Sequence, residues 1–287
     1  MAAMRLWFGL FKLRIGTVIA ITALAGAAVT PGPSLTAWQY VALGLSVLVA
    51  SAAAGAFNQF YERDLDLGMA RTRRRPFVTG ALQPHTAWLA LIALLLAVAT
   101  AFAATVLNAA SASYVFLGAF VYAVVYTVWL KRRSWLNIVI GGLAGSFAVL
   151  AGAAAVTPAL DPIPVILAVV LFLWTPPHFW CLAIAYYRDY AAAGVPMLPV
   201  VIGDASAARV IFHNTVALTA TSLLPLAFGM GALYAAGAVV GGALFLKRGY
   251  ALVQDPTPAA AMRCFHASLA QLTLLLAGAV LDVGLRS

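Results

Sequence analysis

Charge is scarce in this chain: only 9% of its 287 residues are Asp, Glu, Lys or Arg. A soluble domain carries nearer a quarter, so an ordinary water-soluble fold is excluded. Cysteine is nearly absent as well. Cys181 and Cys264 have no metal-like spacing and sit in apolar contexts, which makes them small buried hydrophobes. Alternation of apolar and polar residues is also missing, and that excludes a transmembrane β-barrel. What is present is apolar sequence: 64% of residues are hydrophobic. They fall in runs of about 18–25, the length that crosses a bilayer as helix. The net charge of +9 does not call for nucleic acid here. Surplus Lys and Arg in a membrane protein record topology or meet anionic headgroups and phosphates.

Apolar windows bounded by polar breaks predict an all-α, polytopic membrane bundle of about nine transmembrane helices. They run approximately over 12–30, 37–57, 86–107, 111–130, 135–156, 162–185, 207–227, 229–246 and 263–283. Pro225 with Gly229 and Gly231 marks a tight turn between the seventh and eighth. With nine spans, Arg5, Lys12, Arg14, the Arg63–Arg75 group, Lys131–Arg133, Arg188, Arg209, Lys247, Arg248 and Arg263 share one face. Arg286 is the exception. The positive-inside rule makes the shared face cytoplasmic, with the N-terminus inside. The whole of 1–287 then reads as one membrane-embedded domain with two long polar cytoplasmic loops, about 58–85 and 186–209. Polar loops of this length in a compact bundle tend to be functional.

Asn58, Glu62 and Asp66 are spaced i, i+4, i+8 at the end of the second span. If the helix continues, all three share one face, and two carboxylates with an amide oxygen suit a hard cation such as Mg²⁺. Asp64 falls roughly opposite. Spacing alone leaves a solvated acidic helix end, salt-bridged to neighbouring Arg, as an equal reading. The stretch Arg71-Thr72-Arg73-Arg74-Arg75 follows directly, with Arg63 nearby. Carboxylates beside guanidinium groups form the usual kit for a metal-bound diphosphate. The second loop echoes the first: Tyr61-Glu62-Arg63-Asp64 returns as Tyr186-Tyr187-Arg188-Asp189. The echo predicts that the two loops face each other across one pocket.

The stretch Asn58-x3-Glu62-x3-Asp66-x2-Met69-x-Arg71-Thr72-x2-Arg75-Pro76 resembles the first signature of the UbiA-type membrane prenyltransferases. Within them it resembles the protoheme IX farnesyltransferases, or heme O synthases. That likeness continues through Tyr126-Thr127-x2-Leu130-Lys131-Arg132-x-Ser134-x2-Asn137, Trp174-Thr175-Pro176-Pro177-His178-Phe179-Trp180 and Asp189-Tyr190-x3-Gly194-Val195-Pro196. The resemblance implies a nine-helix bundle with a lateral opening to lipid. It implies transfer of a farnesyl group from farnesyl diphosphate to a vinyl group of protoheme IX, with water added, dependent on one or two Mg²⁺ ions. By position, Asn58, Glu62, Asp66 and Asp189 would hold metal and diphosphate. Arg71, Arg75, Lys131 and Arg132 would contact diphosphate oxygens. The wider family commonly has two Asp four residues apart in its second motif. Here Asp189 is flanked by Ala185 and Ala193, which leaves the metal count open.

His178 lies inside the sixth span after two prolines, eleven positions before Asp189. That is about 16 Å along an ideal helix, a distance suited to a substrate end remote from the diphosphate. An ionisable group at that depth is usually functional, so His178 is expected to bind heme, as an iron ligand or a proton carrier. The bland alternative is a buried His bonded to a neighbouring helix. Trp174, Phe179, Trp180, Tyr122 and Tyr126 are candidates to line a heme or prenyl cavity, and Asn137 to contact diphosphate or propionate; packing is the alternative for each. The lipid bilayer and a neighbouring membrane enzyme that uses heme O are the expected partners, though no residue identifies the latter. With no Arg/Ser-rich leader ahead of the first span, a cell inner (plasma) membrane is expected, with the site toward the cytoplasm. Two other functions fit parts of the pattern: a sister prenyltransferase acting on an aromatic or quinone precursor, and a membrane transporter.

Overall fold

A computed structural model describes residues 2–285; Arg286, the basic residue read onto the opposite face, lies outside them. The described chain is helical throughout. In order it forms α1 (Ala2–Leu10), α2 (Leu13–Ala28), α3 (Ala37–Tyr61), the short α4 (Arg63–Leu67) and α5 (Pro76–Thr79), then α6 (Ala87–Val106). Next come α7 (Ala109–Phe120), which runs on as a π-helix (Val121–Leu130), α8 (Asn137–Gly141), α9 (Leu143–Val156) and α10 (Pro162–Ala185). After the short α11 (Tyr187–Ala192) and α12 (Leu198–Ile202) follow α13 (Asp204–Thr221), a 3₁₀ turn (Leu224–Phe228), α14 (Ala232–Gln254) and α15 (Pro258–Gly284). Eight helical stretches among the described residues are long and apolar enough to cross a membrane. The pair α1/α2, bent by 53°, makes a ninth if it is counted as one span. The expected spans are thus present, with ends shifted by a few residues.

Helix starts follow side-chain chemistry written in the loops. Thr36 and Gln39 form a reciprocal capping box at the start of α3, and Asp161 accepts from the Ile163 amide ahead of Pro162 at α10. Asn108 caps α7 through the Ser111 amide and also donates to the Ala154 carbonyl of α9, tying two spans together. Asp282, near the end of α15, accepts from the amides of Gly231 and Leu233 at the start of α14.

Lipid supplies no hydrophobic drive between helices, so spans associate through close backbone packing. At Gly152 a Cβ would stand 1.8 Å from the Ala23 carbonyl oxygen, and at Gly26 one would stand 2.3 Å from that of Val149. The backbones of α2 and α9 therefore touch directly. Gly237 and Gly278 do the same for α14 and α15.

Two departures from regular helix bear on function. The first span does not begin smoothly at residue 12. Lys12 adopts a left-handed conformation, φ 48°, at the break between α1 and α2. Among described residues other than glycine it stands alone in this, and the conformation is strained for a residue with a Cβ. The second is the π-helix, closed by the Lys131 amide on the Tyr126 carbonyl (2.9 Å). Such wide turns are rare and concentrate at functional sites. By contrast, α10 is one helix through Pro176 and Pro177, although those residues supply no amide to the carbonyls of Phe172 and Leu173.

Candidate active site

α3 ends at Tyr61, yet its hydrogen-bond ladder carries on through the Glu62 amide to Asn58 (3.0 Å) and the Asp66 amide to Glu62 (2.8 Å). Asn58, Glu62 and Asp66 therefore keep their common face and are all buried, at 1%, 0% and 1% exposure. Asp64, on the other side, has a side chain 63% exposed.

Buried carboxylates need partners, and each member of this face has a cation. Lys12 Nζ donates to Asn58 Oδ1 at 2.6 Å, Lys131 Nζ to Glu62 Oε2 at 2.5 Å, and Arg75 to both Asp66 oxygens at 2.8 and 2.6 Å. Lys12 was read from the sequence as a topological charge alone. Its flanking residues, Leu10-Phe11 and Leu13-Arg14, gave no hint that it folds inward. Asn58 Nδ2 donates to Thr127 Oγ1, and Thr127 in turn donates to the Tyr122 carbonyl, five residues back in the π-helix. The wide turn thus aims Thr127 at the site. Tyr122 and Tyr126 stack at 5.5 Å, with Lys12 over the first ring and Lys131 over the second.

These tyrosines and Lys12 form the polar end of an apolar cavity of about 190 Å³. Ile15, Ile19, Val47, Ala54, Ala148 and Phe179 lie among its walls. Of the aromatic candidates, Tyr122, Tyr126 and Phe179 line it, while Trp174 and Trp180 pack in the core. Trp174 donates to the Ser268 carbonyl.

The other candidates fall in three places. Asp189 accepts from the Arg71 amide at 3.3 Å, so the two polar loops meet there. Arg132 forms a two-pronged bridge with Asp64 at 2.9 and 2.8 Å on the exposed side. The guanidinium holds the Asp64 carboxyl below its usual range, and Arg132 is raised in return. Asn137 is buried and donates to the Ser134 carbonyl (2.7 Å), closing the turn after Lys131, while its Oδ1 has no partner. His178 is sandwiched between Trp174 (4.2 Å) and Phe265 (4.4 Å), with Nδ1 2.7 Å from Ser268 Oγ on α15. It belongs to the α10–α15 interface, whereas Thr175 and Phe179 on the same helix face the cavity.

The oxygens suit a hard cation without forming a finished cage. Among the described residues no three of His, Cys, Asp and Glu gather closely enough to hold a metal. Glu62 Oε1 is buried with no hydrogen-bond partner, an acceptor left over for a ligand. One or two carboxylates plus substrate phosphates are the usual coordination of Mg²⁺; Glu62 and Asp66 are the carboxylates on this face, Asp66 with both oxygens on Arg75.

Residues 19–275 match the model of the UbiA prenyltransferase family. The chain is 55% identical to protoheme IX farnesyltransferase 2 of Paramagnetospirillum magneticum, over 98% of both chains. It is 40% identical to the protoheme IX farnesyltransferase of Gluconacetobacter diazotrophicus, covering 96% of this chain and 90% of that one. Among solved structures, a digeranylgeranylglyceryl phosphate synthase superposes with a TM-score of 0.77 at 16% identity, over 99% of each chain. A UbiA homolog from Archaeoglobus fulgidus bound to GPP and Mg²⁺ gives 0.72 at 17%, over 97% of this chain and 99% of that one. Buried oxygens whose cations adjoin an apolar cavity, the many-span helical fold and these relatives agree: the chain is a multi-pass membrane protein that belongs to the UbiA prenyltransferase family, among its protoheme IX farnesyltransferases.

Proposed function

We propose that this protein moves a farnesyl group from farnesyl diphosphate to a vinyl group of protoheme IX, adding water, to give heme O, diphosphate and a proton. One observation carries the diphosphate half: three buried oxygen-bearing side chains, each held by a cation, joined through Lys12 on Asn58 to the wall of an apolar cavity. A prenyl diphosphate has the same polarity, an anionic head on an apolar tail. The tail matches the apolar walls of the cavity, and the head meets Glu62, Asp66 and the cations around them.

Glu62 and Asp66 would hold Mg²⁺, which would supply positive charge to stabilise the leaving diphosphate. Asn58 and Asp189 complete the set of metal and diphosphate residues from either side. On that reading Lys131 and Arg75 exchange their carboxylate partners for phosphate oxygens, and Arg71 approaches from the loop joined to Asp189. Arg132 joins them by leaving Asp64. The C1–O bond breaks with its electron pair on oxygen. Fixed cations in a low-dielectric site stabilise that charge far better than water does. The allylic cation left behind faces the rings of Tyr122 and Tyr126, whose π-faces favour positive charge. The vinyl π-electrons of the acceptor form the new C–C bond, and water takes up the cation produced on the porphyrin side, releasing a proton.

The heme half is supported by the names of the relatives and by the Trp174–Trp180 segment. His178 is proposed to meet the porphyrin, with Trp174 beside it and Asn137 near a propionate. Ser268 engages Nδ1, so Nε2 is the nitrogen left for iron or a proton. The basic loops support a cytoplasmic site in a cell inner membrane, with the N-terminus inside, and a heme O-using membrane enzyme as product acceptor.

Purified protein with farnesyl diphosphate and Mg²⁺ is offered protoheme or 4-hydroxybenzoate, and products are identified by mass spectrometry. Farnesylated, hydrated heme is expected. Product from 4-hydroxybenzoate alone would move the chain to the aromatic-acceptor branch, and no prenylated product from either would favour transport.

A further inference from the structure

Lys12 combines three features that packing alone does not require. Its backbone is in the left-handed region at the 53° break between α1 and α2, a conformation that disfavours a Cβ. Its aliphatic stem crosses α3 at Gly55, where a Cβ would meet the Lys12 chain at 3.3 to 3.4 Å. Its ammonium ends 2.6 Å from Asn58 Oδ1 and 2.9 Å from the Tyr122 hydroxyl. A left-handed kink and a missing side chain opposite together deliver one charge to one place.

That place has a defined position along the substrate. Asn58, Glu62 and Asp66 succeed one another by about one helical turn, four residues or about 6 Å along the axis. Their cations, Lys12, Lys131 and Arg75, are ordered the same way. Asn58 lies within α3, one turn before its end, and so is the deepest of the three. Lys12 also lines the apolar cavity, whereas Lys131 and Arg75 do not. A diphosphate whose tail occupies the cavity has its tail-bearing phosphate innermost. The oxygen that joins that phosphate to C1 would then lie at the boundary between cavity and polar cluster, beside Lys12.

We propose that Lys12 is the inner cation of the diphosphate site and donates a hydrogen bond to the oxygen that leaves C1. This rests on the prenyl-transfer reading above. As the C1–O bond breaks, both electrons stay on that oxygen, and the ammonium, released from Asn58, meets the negative charge where it forms. No proton needs to be transferred. Asn58 is then a positioning residue, which holds Lys12 at the mouth until substrate arrives. The pairing of Lys12 with Tyr122 also keeps that ring over the carbon that becomes cationic.

The test uses full-length protein in detergent with the variants Lys12→Met and Lys12→Arg. Three quantities are read: kcat and KM for farnesyl diphosphate in heme O formation, equilibrium binding of the unreactive S-thiolo analogue of farnesyl diphosphate with Mg²⁺, and the thermal midpoint. An interaction made mainly in the transition state lowers kcat on the order of 100-fold or more in Lys12→Met. Analogue affinity is expected to fall by about tenfold or less. Lys12→Arg keeps the charge and is expected to recover most of kcat. The proposal is overturned if Lys12→Met raises KM with kcat unchanged. It is overturned equally if both variants lose kcat in step with a lowered thermal midpoint, the pattern of a structural lysine. Failure of the wild-type protein to bind the analogue overturns the prenyl-transfer reading itself, and is thereby distinguished.

Discussion

Lys131→Met isolates the resting electrostatics of the site. Lys131 Nζ lies 2.5 Å from Glu62 Oε2, and the two side chains are 11% and 1% exposed. At that separation, with an effective dielectric near 20, the attraction is about 6–7 kcal/mol. Losing the buried ammonium returns part of this, because Lys131 no longer has to shed its own hydration. Breaking a buried pair from one side costs about 3–5 kcal/mol net. The lower half of that range applies, since Lys131 keeps some contact with solvent. Glu62 Oε1 already lacks a partner, so truncation leaves both carboxylate oxygens bare. If Glu62 is a metal ligand, a divalent cation can then take over the neutralising role. Saturation at 100-fold over the dissociation constant adds about 2.7 kcal/mol of stability. The assay is unfolding of the detergent-solubilised protein in SDS mixed micelles, followed by tryptophan fluorescence, with and without Mg²⁺. Lys131→Met is expected to be destabilised in chelator and to gain more from Mg²⁺ than wild type, which must first displace its own lysine. Equal stability of the two proteins in chelator, or an equal Mg²⁺ gain in both, would falsify the argument.

Three further outcomes are expected. Gly152→Ala drives a methyl group into the Ala23 carbonyl, forcing α2 and α9 apart; overpacking of this kind costs about 1–3 kcal/mol or more, seen as a lowered thermal midpoint and poor accumulation in the membrane. Ser268→Ala removes the partner of His178 Nδ1 and is expected to lower stability by about 1–3 kcal/mol. If His178 also serves the porphyrin, His178→Ala lowers protoheme affinity beyond what Ser268→Ala does, and equal titrations of the two variants would leave His178 with packing alone. The Arg132–Asp64 bridge is exposed, so a double-mutant cycle with Arg132→Gln and Asp64→Asn at pH 7 is expected to give under about 1 kcal/mol. Arg132 lowers the Asp64 carboxyl, so this coupling is present above the ordinary Asp value near 4 and vanishes as pH falls through the lowered one. A coupling at pH 7 that does not weaken when Asp64 is protonated would contradict the bridge.

Membrane-spanning architecture was legible without coordinates, because a span must carry an apolar run of fixed length and its backbone must satisfy itself. The nine windows and the i, i+4, i+8 face of Asn58, Glu62 and Asp66 are local consequences of helix geometry. The count of charges loop by loop is likewise a local reading. Pairing is not. Nothing local assigns Lys12 to Asn58 across 46 residues or Lys131 to Glu62 across 69. Nothing local takes Arg132 out to Asp64 while Arg75 turns in to Asp66. Nor did sequence order show that Trp174 and His178 pack against α15 while Thr175 and Phe179, on the same helix, face the cavity. A helix displays its faces equally in sequence, and only the neighbours that close around it decide which one meets the substrate. Lys12 is the sharpest case. Its charge was visible and its address was not, because the address depends on a left-handed turn, a glycine on another helix and an amide oxygen that meet only in three dimensions.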